Sequence, residues 1–236
     1  MAITKVNLHE GHRSRLKQKL LEQGLDSFAE HEVLELLLYY AIPYKDTNAL
    51  AHRLLSHYGS LAGVLEADYH DLQEQAGVGA NTASLLTFIP QLTRYYFANR
   101  WREQKSYSNL SELVPYVKTL FVGRTKECFF VICMNSKNQV NMAKLLSEGT
   151  VGEVIVYPSK VVEAALKYKA RAVILAHNHP GGNLKATFSD LELTAASIAA
   201  LKTVNIPVLD HIIVAGDVYM SFMERGLLER MKGASK

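Results

Sequence analysis

The run Ala172-Val173-Ile174-Leu175-Ala176-His177-Asn178-His179-Pro180-Gly181-Gly182 sets the architecture of this chain. Five consecutive apolar residues before a Gly/Pro-rich stretch predict a short strand buried on both faces, as in the middle of a sheet. A period of two then brings His177 and His179 to the same side at the strand's end. The loop that follows leads to Thr187-Phe188-Ser189-Asp190, whose Thr187 and Asp190 have the spacing of a capping box opening a helix. Such a loop can fold the Asp190 carboxylate back toward both rings. Two imidazoles and one carboxylate give three protein ligands and leave one tetrahedral position open, the pattern of a catalytic zinc site rather than a structural one. Other divalent metals accept the same donors. The alternative is that these are loop-capping residues, with Asp190 serving only the helix N-terminus. The two roles of Asp190 do not exclude each other.

On either side of this stretch, strands and helices interleave. Glu127–Met134 is aromatic and β-branched, Gln139–Leu146 alternates, and Val154–Tyr157 is apolar, so each predicts a strand. Val161, Val162, Ala165 and Leu166 predict a short helix after Pro158, and Leu191, Ala195, Ile198 and Leu201 a second one. Val208–Val214, the turn Gly216-Asp217 and Val218–Phe222 read as a hairpin. The expectation is an α/β/α layered domain with a mixed sheet over 113–236. Residues 11–100 read as helices throughout, so 1–100 is expected to be a helical domain, joined by a polar linker at 101–112.

The chain has 236 residues, 48% of them apolar and 21% charged, an ordinary globular composition. Its formal net charge of +3 does not announce a nucleic-acid binder. Residues 1–112 hold 11 Lys/Arg against 13 Asp/Glu, and the remainder 15 against 10. Cys128 and Cys133 are an odd number of positions apart on one predicted strand, so they point to opposite faces and should not bridge. With no signal sequence and no apolar run long enough for a membrane span, the chain reads as cytoplasmic. His31-Glu32 lacks the second histidine of HExxH, and no HxE…PCxxC deaminase pattern occurs.

His177-Asn178-His179-Pro180 with Asp190, then Leu209-Asp210-His211 and Ser221-Phe222-Met223-Glu224-Arg225-Gly226-Leu227, resembles the RadC family over nearly the whole chain. The resemblance implies a JAB/MPN-type domain with the JAMM metalloprotease motif. It implies His177, His179 and Asp190 as zinc ligands, and Glu127 as the upstream glutamate, the general acid/base for the attacking water. The alternative for Glu127 is a solvated strand end, and Glu148 and Glu153 are rival glutamates. The motif's serine is Thr187 here, whose hydroxyl can still donate to a developing oxyanion. The loop reads His179-Pro180-Gly181-Gly182-Asn183 where the family has HPSGD, and Pro158-Ser159-Lys160 stands where it has Pro-Arg-Glu. These departures bear on substrate recognition rather than on the three ligands. Asp210-His211 reads either as support for the metal loop or as a core histidine satisfied by a neighbouring carbonyl.

Three functions follow as expectations. The first is a zinc metallohydrolase acting on a protein or peptide substrate at a peptide or isopeptide bond. The second is a DNA repair or recombination protein with a structural or vestigial metal. Its support is Gln75-Ala76-Gly77-Val78-Gly79-Ala80-Asn81-Thr82-Ala83, which resembles a helix-hairpin-helix and implies weak DNA binding through Gly77 and Gly79. No Lys or Arg lies between Arg53 and Arg94, so the same turn also reads as plain helix packing. The basic residues Arg13, Arg15, Lys17 and Lys19 share no helical face and read as a solvated first helix. The third function is a silent MPN-like scaffold.

Overall fold

The computed structural model describes residues 11–43, 45–102, 106–149 and 156–233. The chain falls into two compact units that divide between Leu92 and Thr93. The first holds α1 (His12–Gln23), α2 (Glu30–Ala41), α3 (Asn48–Tyr58), α4 (Leu61–Glu66), α5 (Tyr69–Glu74) and the start of α6 (Ala80–Arg102). Leu34, Leu38, Leu54, Val64, Leu72 and Leu86 form its buried core. Side chains capping backbone N–H groups start the short helices, Ser60 for α4 and Asp68 for α5. Two α1 cations that read as solvated instead hold α1 to neighbouring residues. The Arg13 guanidinium lies 4.4 Å from the centre of the Tyr39 ring, and Lys19 pairs with Glu32 at 2.8 Å. Helix α6 runs through Pro90 and continues past this division to Arg102.

The second unit is an α/β/α sandwich. Its five-stranded sheet has the order β2-β1-β3-β4-β5, with β1 (Glu127–Met134), β2 (Val140–Gly149), β3 (Ala172–Asn178), β4 (Val208–Ala215) and β5 (Val218–Ser221). Among the described residues only β3 and β4 pair in parallel; the other neighbours are antiparallel. The Ala172–Ala176 run is the middle strand, as its unbroken apolar character requires. One sheet face packs Phe130, Ile132, Ile174, Ala176 and Ile212 against α7 (Leu110–Thr119). The other packs Phe129, Val131, Val173 and Leu175 against α8 (Pro158–Lys167) and α9 (Phe188–Lys202). Cys128 belongs to the first core and Cys133 to the second, and both are free thiols. The expected strand Val154–Tyr157 lies half outside the described residues, and Val156 and Tyr157 are in no strand. A short α10 (Leu227–Gly233) follows β5. Among the described residues no helix is long and apolar enough to cross a membrane.

Candidate metal centre

Strand β3 delivers His177 to the face covered by α8 and α9, and His179 follows on the same side. Their Nε2 atoms lie 2.9 Å apart. Asp190, in the first turn of α9, brings Oδ1 to 3.1 Å from His177 Nε2 and Oδ2 to 3.7 Å from His179 Nε2. Ligand atoms about 2.0–2.1 Å from a tetrahedral ion stand about 3.3 Å from one another, so these spacings fit a single cation. The ring protons reinforce the fit. His179 Nδ1 lies 2.6 Å from the Asn183 carbonyl oxygen. That oxygen only accepts, so Nδ1 carries the hydrogen and Nε2 turns a lone pair inward. Imidazole lone pairs and a carboxylate at these distances repel one another unless a cation or a proton sits among them.

Glu127 completes the group. Its carboxylate and the ring nitrogens of His177 and His179 all lie within 4.8 Å of one another. Antiparallel pairing of Phe129 with His177 puts Glu127, two residues earlier, across from His179. Asn178 points to the opposite face and fixes this strand end. Its Oδ1 accepts the Cys128 N–H at 2.8 Å, and its Nδ2 donates to the Lys126 carbonyl at 3.1 Å. The register also separates Glu127 from its rivals. Glu148 pairs across from Cys128, on the other face, and binds Arg124 at 3.1 Å. Glu153 lies outside the described residues.

Thr187 caps α9 and grips Asp190. Its backbone N–H donates to Asp190 Oδ2 at 2.7 Å and its hydroxyl at 2.8 Å, while the Asp190 N–H donates back to the hydroxyl oxygen at 3.2 Å. The capping box therefore saturates Oδ2 and leaves Oδ1 toward His177. Burial alone pushes the Asp190 carboxyl up, but positive charge at His177 Nε2, a proton or an ion in its place, and then the Thr187 donors outweigh it and hold it below the usual carboxylate range.

Strand β4 places His211 behind His177, its Nε2 2.8 Å from His177 Nδ1. On its other side His211 Nδ1 lies 2.6 Å from the Thr194 hydroxyl oxygen. The ring sits between Phe129 and Phe222, with centroids 5.6 and 4.6 Å away. Complete burial is the main cause that pushes His211 well below the ordinary histidine value. Asp210, its neighbour, faces away. It accepts from the Ser221 hydroxyl at 2.6 Å and from the Met223 N–H at 2.9 Å, and so ties β4 to the turn after β5. Thr194 was missed in the sequence, although its place one turn after Asp190, on the same buried side of α9 as Ser197 and Leu201, is a signal.

Residues 107–227 match the RadC-like JAB domain, and residues 9–84 match the UPF0758 N-terminal region. A UPF0758 protein of Fusobacterium nucleatum subsp. nucleatum is 34% identical over 227 residues, 93% of this chain and 98% of that protein. The apolar middle strand, the two histidines at its end and the acidic helix start folded over them all lie inside the matched residues, and the chain belongs to the RadC-like JAB domain family.

Proposed function

We propose that this chain is a zinc-dependent hydrolase of JAMM type that cleaves a peptide or isopeptide bond. The observation that carries the reading is the meeting of the His177 and His179 Nε2 atoms with Asp190, at spacings that suit one ion and with Glu127 close by. A divalent ion held there supplies Lewis acidity to a carbonyl and acidifies a water. Glu127, across the strand pair, takes the proton from the attacking water and passes it to the leaving amine. The Thr187 hydroxyl orients Asp190, and it reaches a developing oxyanion only by turning away from that carboxylate. Beside the site, Leu184, Ala186, Leu191, Met220 and Leu227 line a cavity of about 520 Å³ together with the basic Lys185 and Arg225. Leu184, Ala186 and Leu191 directly adjoin Asn183, Thr187 and Asp190 in sequence. An apolar substrate side chain with an acidic neighbour suits this cavity.

Metal analysis of the purified chain tests the reading, together with hydrolysis of fluorogenic peptides and isopeptide-linked peptides. The expected result is about one zinc per chain, lost in His177→Ala/His179→Ala. Glu127→Gln should keep the zinc and lose hydrolysis. A wild-type chain that takes up no divalent ion overturns the proposal.

A second reading, a DNA-binding role for the helical unit, draws on one observation. Arg53 reaches the turn between α5 and α6 and donates to the Ala76 carbonyl at 2.5 Å, next to Gly77 at φ +89°. Folding thus brings a cation to a turn whose own sequence has none. Fluorescence anisotropy with single-stranded and branched DNA at low salt tests it. Binding that weakens in Arg53→Ala supports it, and no binding removes it.

A further inference from the structure

We infer that His211 and Thr194 are positioning residues, a buried relay that fixes the ring proton of His177 on Nδ1 and so turns its Nε2 lone pair into the site. The inference rests on the metal reading of that site. The proton order follows from contacts at the far end of the chain. The Thr194 hydroxyl oxygen lies 2.5 Å from the Asp190 carbonyl oxygen. Two oxygens approach this closely only with a hydrogen between them, and a carbonyl has none to give. The Thr194 hydrogen therefore points to Asp190, which leaves the hydroxyl oxygen as an acceptor for His211 Nδ1 at 2.6 Å.

His211 thus carries its hydrogen on Nδ1. A ring with no solvent contact, enclosed between two phenylalanines, has nothing to balance a charge, so it is neutral and offers a bare Nε2 to His177, 2.8 Å away. Contact between two bare nitrogens is repulsive, so His177 supplies the hydrogen from its own Nδ1. The His177 Nε2 is then free of hydrogen and faces His179 and Asp190. The reverse order puts a hydrogen on His177 Nε2, where it competes with an ion.

Burial closes this line of atoms to solvent. His211 and Thr194 are both fully buried, and Phe129 and Phe222 flank the ring, so water does not substitute for either partner. The relay also returns to its start, because Thr194 grips the backbone of Asp190, whose side chain meets the same Nε2. Ring orientation and carboxylate placement are thereby coupled through one hydroxyl. Partners of this kind fix the tautomer of a ligating histidine and its basicity.

The test uses the full chain and two readouts. Nitrogen-detected NMR of the histidine rings reads the tautomers of the zinc-loaded and zinc-free protein. Competition with a fluorescent chelator reads zinc affinity. The expected result is hydrogen on Nδ1 of both His211 and His177 in the zinc-loaded wild type. Thr194→Val keeps the shape and removes the acceptor, and should weaken zinc binding about 10–100-fold, while Thr194→Ser restores it. Near-ultraviolet circular dichroism confirms that Thr194→Val is folded, and His211→Gln, which keeps an acceptor for His177, gives an independent check by binding zinc more tightly than His211→Phe. Hydrogen on Nε2 of His211 in the wild type, or Thr194→Val within about twofold of wild-type affinity, overturns the relay. If the wild type binds no zinc, the metal reading fails, and the tautomer of His211 in the zinc-free chain still decides the relay.

Discussion

The Asn178 side chain accepts the Cys128 N–H at 2.8 Å, so the residue between the two site histidines holds the start of the strand that bears Glu127. Alternation along β3 sends His177 to one face and Asn178 to the other, and a single strand end thus serves both the candidate ligands and their glutamate. Asn178→Ala leaves a buried N–H without its acceptor. We expect a loss of about 1–3 kcal/mol in denaturant unfolding. In Asn178→Asp, which keeps the acceptor but gives up the amide donor to Lys126, the loss should be partial. Equal stability of wild type and Asn178→Ala contradicts this role.

Asp210 gives the fold a pH dependence of definite sign. Burial raises its carboxyl above the ordinary value, against the hydrogen bonds from Ser221 and from the N–H groups of Met223 and His211. The folded chain therefore holds this proton more firmly than the unfolded chain. The contribution is fully present below the ordinary carboxyl value near pH 4 and is lost as pH rises through the folded value. Urea unfolding across this range should show a shallower dependence in Asp210→Asn than in the wild type. Parallel curves for the two proteins count against the assignment.

Burial pushes the Cys133 thiol up to about 11 and raises Cys128 as well. The thiolate is the reactive form. Neither cysteine should react with a disulfide reagent on the native chain near neutral pH, and both should react after denaturation. Fast labelling of the native protein is the contrary result.

Thr187→Val should uncouple the helix start from the site. It removes the capping hydroxyl, at a cost of about 1 kcal/mol in thermal or denaturant stability. It also frees Asp190 Oδ2 from one of its donors, so zinc affinity should fall along with stability. Thr187→Ser keeps the hydroxyl and should retain both properties. A Val variant that loses stability alone separates the cap from the site.

Arg225, which lines the cavity, should act on substrate choice. Arg225→Glu should slow hydrolysis of peptides with an acidic residue next to the scissile bond more than that of neutral ones, mainly through KM. An equal effect on both peptide classes removes the cavity from the substrate path.

Much of this site is local information. The period of two in His177-Asn178-His179 and the spacing of Thr187 and Asp190 are properties of a few consecutive residues, and the apolar runs name the strands. Backbone geometry enforces those patterns wherever the segment sits, so the sequence by itself determined the interleaving of strands with α8 and α9 and the two histidines on one side, while α7, which covers the other face, was not read from it. Which glutamate joins them was not local. Glu127 and Glu148 both begin or end a strand, and only the pairing of β1 with β3 and β2 separates their faces. The contact of His211 with His177 likewise depends on the parallel β3–β4 register and its shift near Val173. Arg53 meets the Gly77 turn only after α3 and α5 have docked. Register and docking are settled by the summed burial of many distant side chains. No short window of sequence holds that sum, which is why these relationships exist only in the tertiary structure.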